Sequence, residues 1–200
     1  MPPRAYSIHV PDAVLSDLQT RLRHTRWPEP VEGAEWDYGA KVAYIRELCE
    51  YWLNEYDWRE QEARLNVYPQ FLSEIDGVDV HFWHVKGNGP DPFPLLLIHG
   101  WPGSMYEFYQ VLGPLSDPAA YGGDPADAFD LVVPSIPGFG FSGKPRERGW
   151  GCARVAEAFA TLMSQELGYS RYGAHWGRSS PRSSAPRFRS RWRPSTSTSC

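Results

Sequence analysis

In the first third of the chain, apolar residues recur at the three-to-four spacing of helices that bury one face. Val14, Leu15, Leu18 and Leu22 form one such stripe, opened by Pro11 and Asp12 and closed before Trp27-Pro28-Glu29-Pro30, because proline disfavours helical geometry in the residue before it. Val42, Ile45, Leu48 and Trp52 predict a second helix from about Tyr38 to Leu53. A third is expected from Asp57 to about Leu65, where Asp57 with Glu60 three residues on has the spacing of a capping box. All three are polar on their far sides, so their apolar stripes need something to lie against.

From Phe71 onward the period changes. Phe71 to Ile75 and Val78 to Val85 are β-rich runs separated by Asp76-Gly77, a pair that tolerates the positive φ of a type I′ hairpin turn. His81 and His84 stand at an odd separation on the second arm. Opposite faces follow from the period of two, which argues against a shared metal site. Leu95 to Ile98 is a continuous apolar run stopped by the turn His99-Gly100-Trp101-Pro102-Gly103-Ser104, as expected of a strand buried on both faces of a parallel sheet. Ser104 can cap a helix bearing Met105, Phe108, Tyr109 and Leu112. Ser116 to Ala128 is rich in Pro, Gly and Asp and reads as a loop; Asp130 to Val133 is a short strand. Cys152 to Leu167 is a helix stopped by Gly168, and Tyr169 to Ala174 is the next parallel strand. Strands alternating with helices predict an α/β fold.

Two turns carry candidate chemistry. A strand feeding a helix through the tight His99–Ser104 loop aims backbone N–H groups at one point, where a developing oxyanion can be held. The sharpness of that turn predicts a cis Trp101–Pro102 bond, since only X-Pro bonds adopt cis at a cost of about 0.5–1 kcal/mol. The second turn, Gly138 to Gly143, spells GxGxxG. A dinucleotide-binding module is the reading it raises. That fingerprint requires the last glycine to open a helix, yet Lys144-Pro145-Arg146-Glu147-Arg148-Gly149 follows. The glycines are better read as letting the backbone turn sharply beside a site.

The strings HGWPGS, SIPGFGFS, TRWPEP, YDWREQEARLN and IDGVDVHFWHV together resemble the microsomal and juvenile-hormone type of epoxide hydrolase, from Ile8 to about Gly177. The resemblance implies an α/β fold: the N-terminal half of an α/β-hydrolase parallel sheet, preceded by a helical region. The expected divisions are residues 1–70 for the helical region, 71–177 for a partial hydrolase domain and 178–200 for a disordered tail. It also implies that the Trp101 backbone N–H forms half of an oxyanion hole and that His99, Gly100 and Pro102 line the substrate site. The substrate of a complete relative would be a small apolar epoxide, with no cofactor, metal or nucleic acid. In that family an aspartate in a GGDWG turn attacks the epoxide carbon, and a histidine further along activates the water that hydrolyses the alkyl-enzyme ester. This chain reads Gly173-Ala174-His175-Trp176-Gly177, with no aspartate at His175 or Trp176. Loss of three residues, GGD, after His175 accounts for that text. The expectation is an epoxide hydrolase family member that is inactive as encoded. The enzymatic alternative is another aspartate-nucleophile hydrolase such as a haloalkane dehalogenase, against which the helical N-terminal tract argues; the other alternative is a non-catalytic fragment.

Composition refines this picture in three places. Two hundred residues with 42% hydrophobic content suffice for one sizeable core, and nine tryptophans suit it. Cys49, Cys152 and Cys200 have neither metal-ligand nor disulfide-framework spacing, so a reducing cytoplasm is the expected compartment. No run of eighteen apolar residues and no basic-then-apolar leader indicates a membrane span or export. The net charge of −4 combines a +6 tail, Arg178 to Cys200 with six arginines and no acid, with a body of −10. That break in character, together with the deletion before it, reads as a frameshift.

Overall fold

The structure is a computed structural model that describes residues 2–176. The arginine-rich tail and its reading as a frameshift lie outside those residues. The chain divides into two units, Ile8–Val67 and a sheet unit made of Met1–Ser7 with Tyr68 onward.

The first unit holds α1 (Asp12–Arg23), α2 (Val42–Asn54) and α3 (Trp58–Leu65). Pro11 stands before α1 as expected, where its missing N–H costs nothing. Helix α2 starts at Val42, the first residue of its apolar stripe, and not at the expected Tyr38. Gly39 has φ +118°, and Gly39 N–H donates to Trp36 O, so the residues after Tyr38 are spent on a turn. Helix α3 is capped by Asp57, whose carboxylate accepts from Arg59 N–H and Glu60 N–H. Glu60 instead reaches Arg64 at 2.6 Å.

Glu62 ties the start of this unit to α3. Only 6% exposed, its carboxylate accepts from Val10 N–H at 2.7 Å, Trp58 Nε1 at 2.8 Å and Arg59 Nη1 at 2.8 Å. Burial alone would raise its pKa, but these donors outweigh burial and hold it below the ordinary carboxylate value. A lowered native pKa means stability that is present above the unfolded carboxylate pKa, about 4.3, and is lost as the pH falls through that range. Glu62→Gln is therefore expected to lose about 1–3 kcal/mol at neutral pH, and the gap from the parent chain should close below pH ~4. Urea unfolding at the two pH values measures both.

The sheet unit contains β1 (Arg4–Tyr6), β2 (Gln70–Ile75), β3 (Val78–Val85), β4 (Phe93–Ile98), β5 (Phe129–Pro134) and β6 (Gly173–Trp176), in the order β1-β2-β3-β5-β4-β6. The N-terminal residues expected in a helical region 1–70 include a strand: β1 pairs antiparallel with β2, Arg4 opposite Leu72. The sheet is mixed; only β4 with β5 and β4 with β6 are parallel. The Asp76-Gly77 hairpin forms as its sequence predicts, with φ of +51° and +72° and Ile75 opposite Val78.

Alternation along the strands sorts the two faces. Val80, Phe82, Leu96, Ile98 and Val132 form one core cluster with Val155, Phe159 and Leu162 from α5 (Cys152–Thr161) and the π turn Leu162–Glu166 that extends it. His81, Trp83, Leu97, Leu131 and Val133, on the alternate positions, are buried as well. The connection from β4 to β5 runs through the 3₁₀ turn Met105–Phe108, capped by Ser104, and α4 (Tyr109–Ser116). The connection from β5 to β6 crosses back over β4 through α5. Tyr109 of α4 meets the Trp83 ring and Phe159 of α5 packs with Phe82, which puts the two helices on opposite faces, as the right-handed rule expects for crossovers running in opposite directions.

Strand β6 begins later than the expected Tyr169. Gly168 turns at φ +74°, Tyr169 N–H donates to Met163 O, and the Tyr169 hydroxyl is held by Lys86 at 2.6 Å and Asp130 at 2.7 Å. These residues are occupied in the turn, and pairing starts where Gly173 meets Leu95.

Candidate active site

Because β5 lies between β3 and β4, the strand order reverses around β4. In open α/β sheets ligands bind beyond the carboxyl ends of the strands at such a point. The segments that leave those ends here are His99–Ser104 after β4 and Ser135–Gly143 after β5; β6 ends at Trp176, level with Ile98.

His99 joins the first two. It is fully buried, with Nδ1 2.9 Å from Gly100 O and Nε2 3.0 Å from Ile136 N. A carbonyl can only accept and an amide N–H can only donate, so Nδ1 carries the proton and Nε2 is the acceptor. The ring is neutral. Burial holds its pKa below the ordinary value, against upward pulls from the bond to Gly100 O and the charge of Glu107. Both ring nitrogens of His99 are thus committed to backbone atoms, and Gly100 is buried with it. The residues turned outward are Trp101, 63% exposed, and Pro102. The peptide bond between them is cis, as the turn predicts. Replacing His99 by Ala leaves the Ile136 N–H without its acceptor, an expected loss of about 1–3 kcal/mol measurable by urea unfolding.

The glycine-rich turn is folded on itself and onto β3. Gly138 N–H donates to Gly143 O at 2.9 Å, and Gly143 N–H to Asp79 O at 2.7 Å. Gly140 has φ +51°, and a Cβ there would stand 2.6 Å from Ser135 Oγ, so both conformation and space require glycine. No helix follows Gly143 until Cys152, so the dinucleotide fingerprint lacks the helix that would receive a pyrophosphate.

At β6, His175 pairs with Leu97 and is exposed, its ring edge-on to Phe108 at 6.3 Å between centroids. Trp176 pairs with Ile98 and packs against the α5 core. Residues 173–176 supply no carboxylate to the site. His81 and His84 lie on opposite faces with separate partners, Ser135 and Gln70 for one and Tyr169 for the other. Among the described residues no cluster of three His, Cys, Asp or Glu could hold a metal ion, and no helix is long and apolar enough to cross a membrane. The string SIPGFGFS includes Ser135, Ile136 and Ser142, but no local pattern assigns them a role, because the partners that define one lie 37 to 61 residues away.

Comparison with known proteins is consistent with this geometry. Residues 3–108 match the model for the epoxide hydrolase N terminus, and residues 94–179 match that for the alpha/beta hydrolase fold. Over 181 residues the chain is 37% identical to epoxide hydrolase 1 of Oryctolagus cuniculus, covering 87% of this chain and 40% of that protein. It is 36% identical over 181 residues to juvenile hormone epoxide hydrolase 1 of Ctenocephalides felis, covering 87% of this chain and 38% of the relative. Among solved structures, an enantioselective mutant of the Aspergillus niger epoxide hydrolase superposes with TM-score 0.78 at 35% identity, over 89% of this chain and 47% of that one. The chain thus spans about 40% of the length of the curated relatives it matches.

Proposed function

Because the chain belongs to the epoxide hydrolase family, we propose that its strand ends carry the oxyanion side of an epoxide-hydrolysing site, and that the 200-residue polypeptide does not itself turn over epoxides. In the reaction proposed for a complete site, a carboxylate oxygen attacks an epoxide carbon and the carbon–oxygen bond breaks. The ring oxygen takes a proton, and an alkyl-enzyme ester forms. Water activated by a base then attacks the ester carbonyl, giving a tetrahedral oxyanion that collapses to diol and free carboxylate. The Trp101 N–H is the donor for that oxyanion, and the exposed Trp101 and Pro102 border the substrate. A small apolar epoxide suits such a border.

His99 serves this site without touching substrate. Its neutral ring holds Gly100 on one side and Ile136 on the other, which fixes the turn that presents the Trp101 N–H. The observation that carries the second half of the proposal is the end of β6: Gly173-Ala174-His175-Trp176 runs level with Ile98, and from Gly177 to Cys200 there is no Asp, Glu or His. Within the 200 residues, neither a nucleophilic carboxylate nor a base follows β6. Diol formation from an aryl epoxide by the purified polypeptide is the test, and turnover overturns the proposal.

A further inference from the structure

His81 is fully buried near the carboxyl end of β5 and has no part in the chemistry above. Its Nε2 lies 2.9 Å from Gln70 Oε1 and its Nδ1 3.0 Å from Ser135 Oγ. With the Gln70 oxygen accepting from Nε2–H, Nδ1 is left as a lone pair that accepts the Ser135 hydroxyl. The main chain of the same residue is committed in the same direction. Its carbonyl accepts Ser135 N–H at 2.8 Å, and its N–H donates to Ser142 Oγ at 2.9 Å, which in turn donates to Ser135 O at 2.7 Å. Tyr6 and Phe141 close over the ring edge-to-face at 5.4 Å each. Burial pushes the imidazole pKa down to about 4, so the ring stays neutral and keeps its acceptor.

Ser135 is thus held by His81, and the next residue, Ile136, is held by His99. Two neutral histidines, 18 positions apart on β3 and after β4, grip adjacent residues of the segment leaving β5. The Nδ1–H that His99 gives to Gly100 O leaves Nε2 as an acceptor, which the Ile136 N–H fills, and Ile136 follows directly on Ser135. We propose that His81 is a positioning residue of the site: through Ser135 it fixes the peptide on which His99, and with it the Gly100–Trp101 turn, is seated. This rests on the reading of Trp101 as the oxyanion donor for its purpose, but its physical content is a coupling between His81 and His99 that can be measured without substrate.

The test uses the full chain, labelled with nitrogen-15, at neutral pH. In Ser135→Ala the Ile136 amide should exchange at least about tenfold faster, while the amides of Leu96 and Phe159 keep their rates, a local rather than global opening. The His99 ring should lose the nitrogen shifts of a fixed Nδ1–H tautomer. His81→Leu should reproduce both changes. His81→Asn, whose side-chain oxygen can accept the Ser135 hydroxyl, should restore them in part. Unchanged Ile136 exchange and an unchanged His99 tautomer in Ser135→Ala would overturn the proposal. So would equal effects of His81→Asn and His81→Leu, or acceleration of Ile136 in step with Phe159. If His81→Leu does not fold, Ser135→Ala and His81→Asn decide. A positive result here together with diol formation by the parent chain would reject the reading of the site while leaving the coupling intact.

Discussion

Incubated with an aryl epoxide, the purified 200-residue polypeptide is expected to form diol no faster than buffer alone. The reason is the order of events. An oxyanion donor lowers the barrier for hydrolysing an ester, typically by about 3–4 kcal/mol, but no ester exists until a carboxylate has opened the epoxide. The residues that end β6 are His175 and Trp176, and imidazole is a poor replacement for a carboxylate whose ester must later be cleaved. Inserting Gly-Gly-Asp between His175 and Trp176 should leave multiple turnover of the 200-residue polypeptide at background as well, because residues 176–200 contain no histidine to activate water on the ester. An intact epoxide hydrolase run in parallel shows that the assay detects diol. Turnover by the unmodified chain would require a nucleophile among residues given structural roles above.

How much of this could be read before the fold was seen depends on the range of each interaction. The Asp76-Gly77 hairpin and the Asp57 cap are settled by neighbours in sequence, and both form at the predicted positions. The cis Trp101–Pro102 turn is likewise local. Helix α2 and strand β6 both begin later than expected, at Val42 instead of Tyr38 and at Gly173 instead of Tyr169. In each case a glycine at positive φ with a few backbone bonds takes the preceding residues into a turn. Strand β1 joins the sheet through Leu72, a pairing across 68 positions that a three-residue stretch cannot announce.

The site divides along the same line. His99 and Trp101 lie in a recognisable turn, so the sequence marks them as candidates. The partners of His99 were not legible: its buried ring meets Gly100 O beside it and the Ile136 N–H 37 residues away. His81 sits within a strand and offers nothing to distinguish it from His84. Only the structure separates them, with His81 on the segment that leaves β5 and His84 on the Tyr169 hydroxyl at the other end of the strand pair.

Replacing Phe159 by Ala is expected to remove about 3–5 kcal/mol of stability, against a typical total of ~5–15 kcal/mol for a whole domain. The ring is fully buried on the face of α5 that covers the sheet, in one cluster with Phe82, Leu96, Ile98 and Val132. Its deletion leaves a void among side chains fixed by strand register, which cannot collapse far. Phe159→Leu keeps most of the volume and should cost less than about 1.5 kcal/mol. Tyr38→Ala, at an 85% exposed position, should stay within ~0.5 kcal/mol. Urea unfolding followed by tryptophan fluorescence ranks the three. The largest loss belongs at Phe159 because α5 is the only helix joining β5 to β6 among the described residues, so its packing holds in place both strands whose carboxyl ends flank β4 at the site. A loss below about 1 kcal/mol at Phe159 would mean that this face of α5 is not the core it forms in the structure.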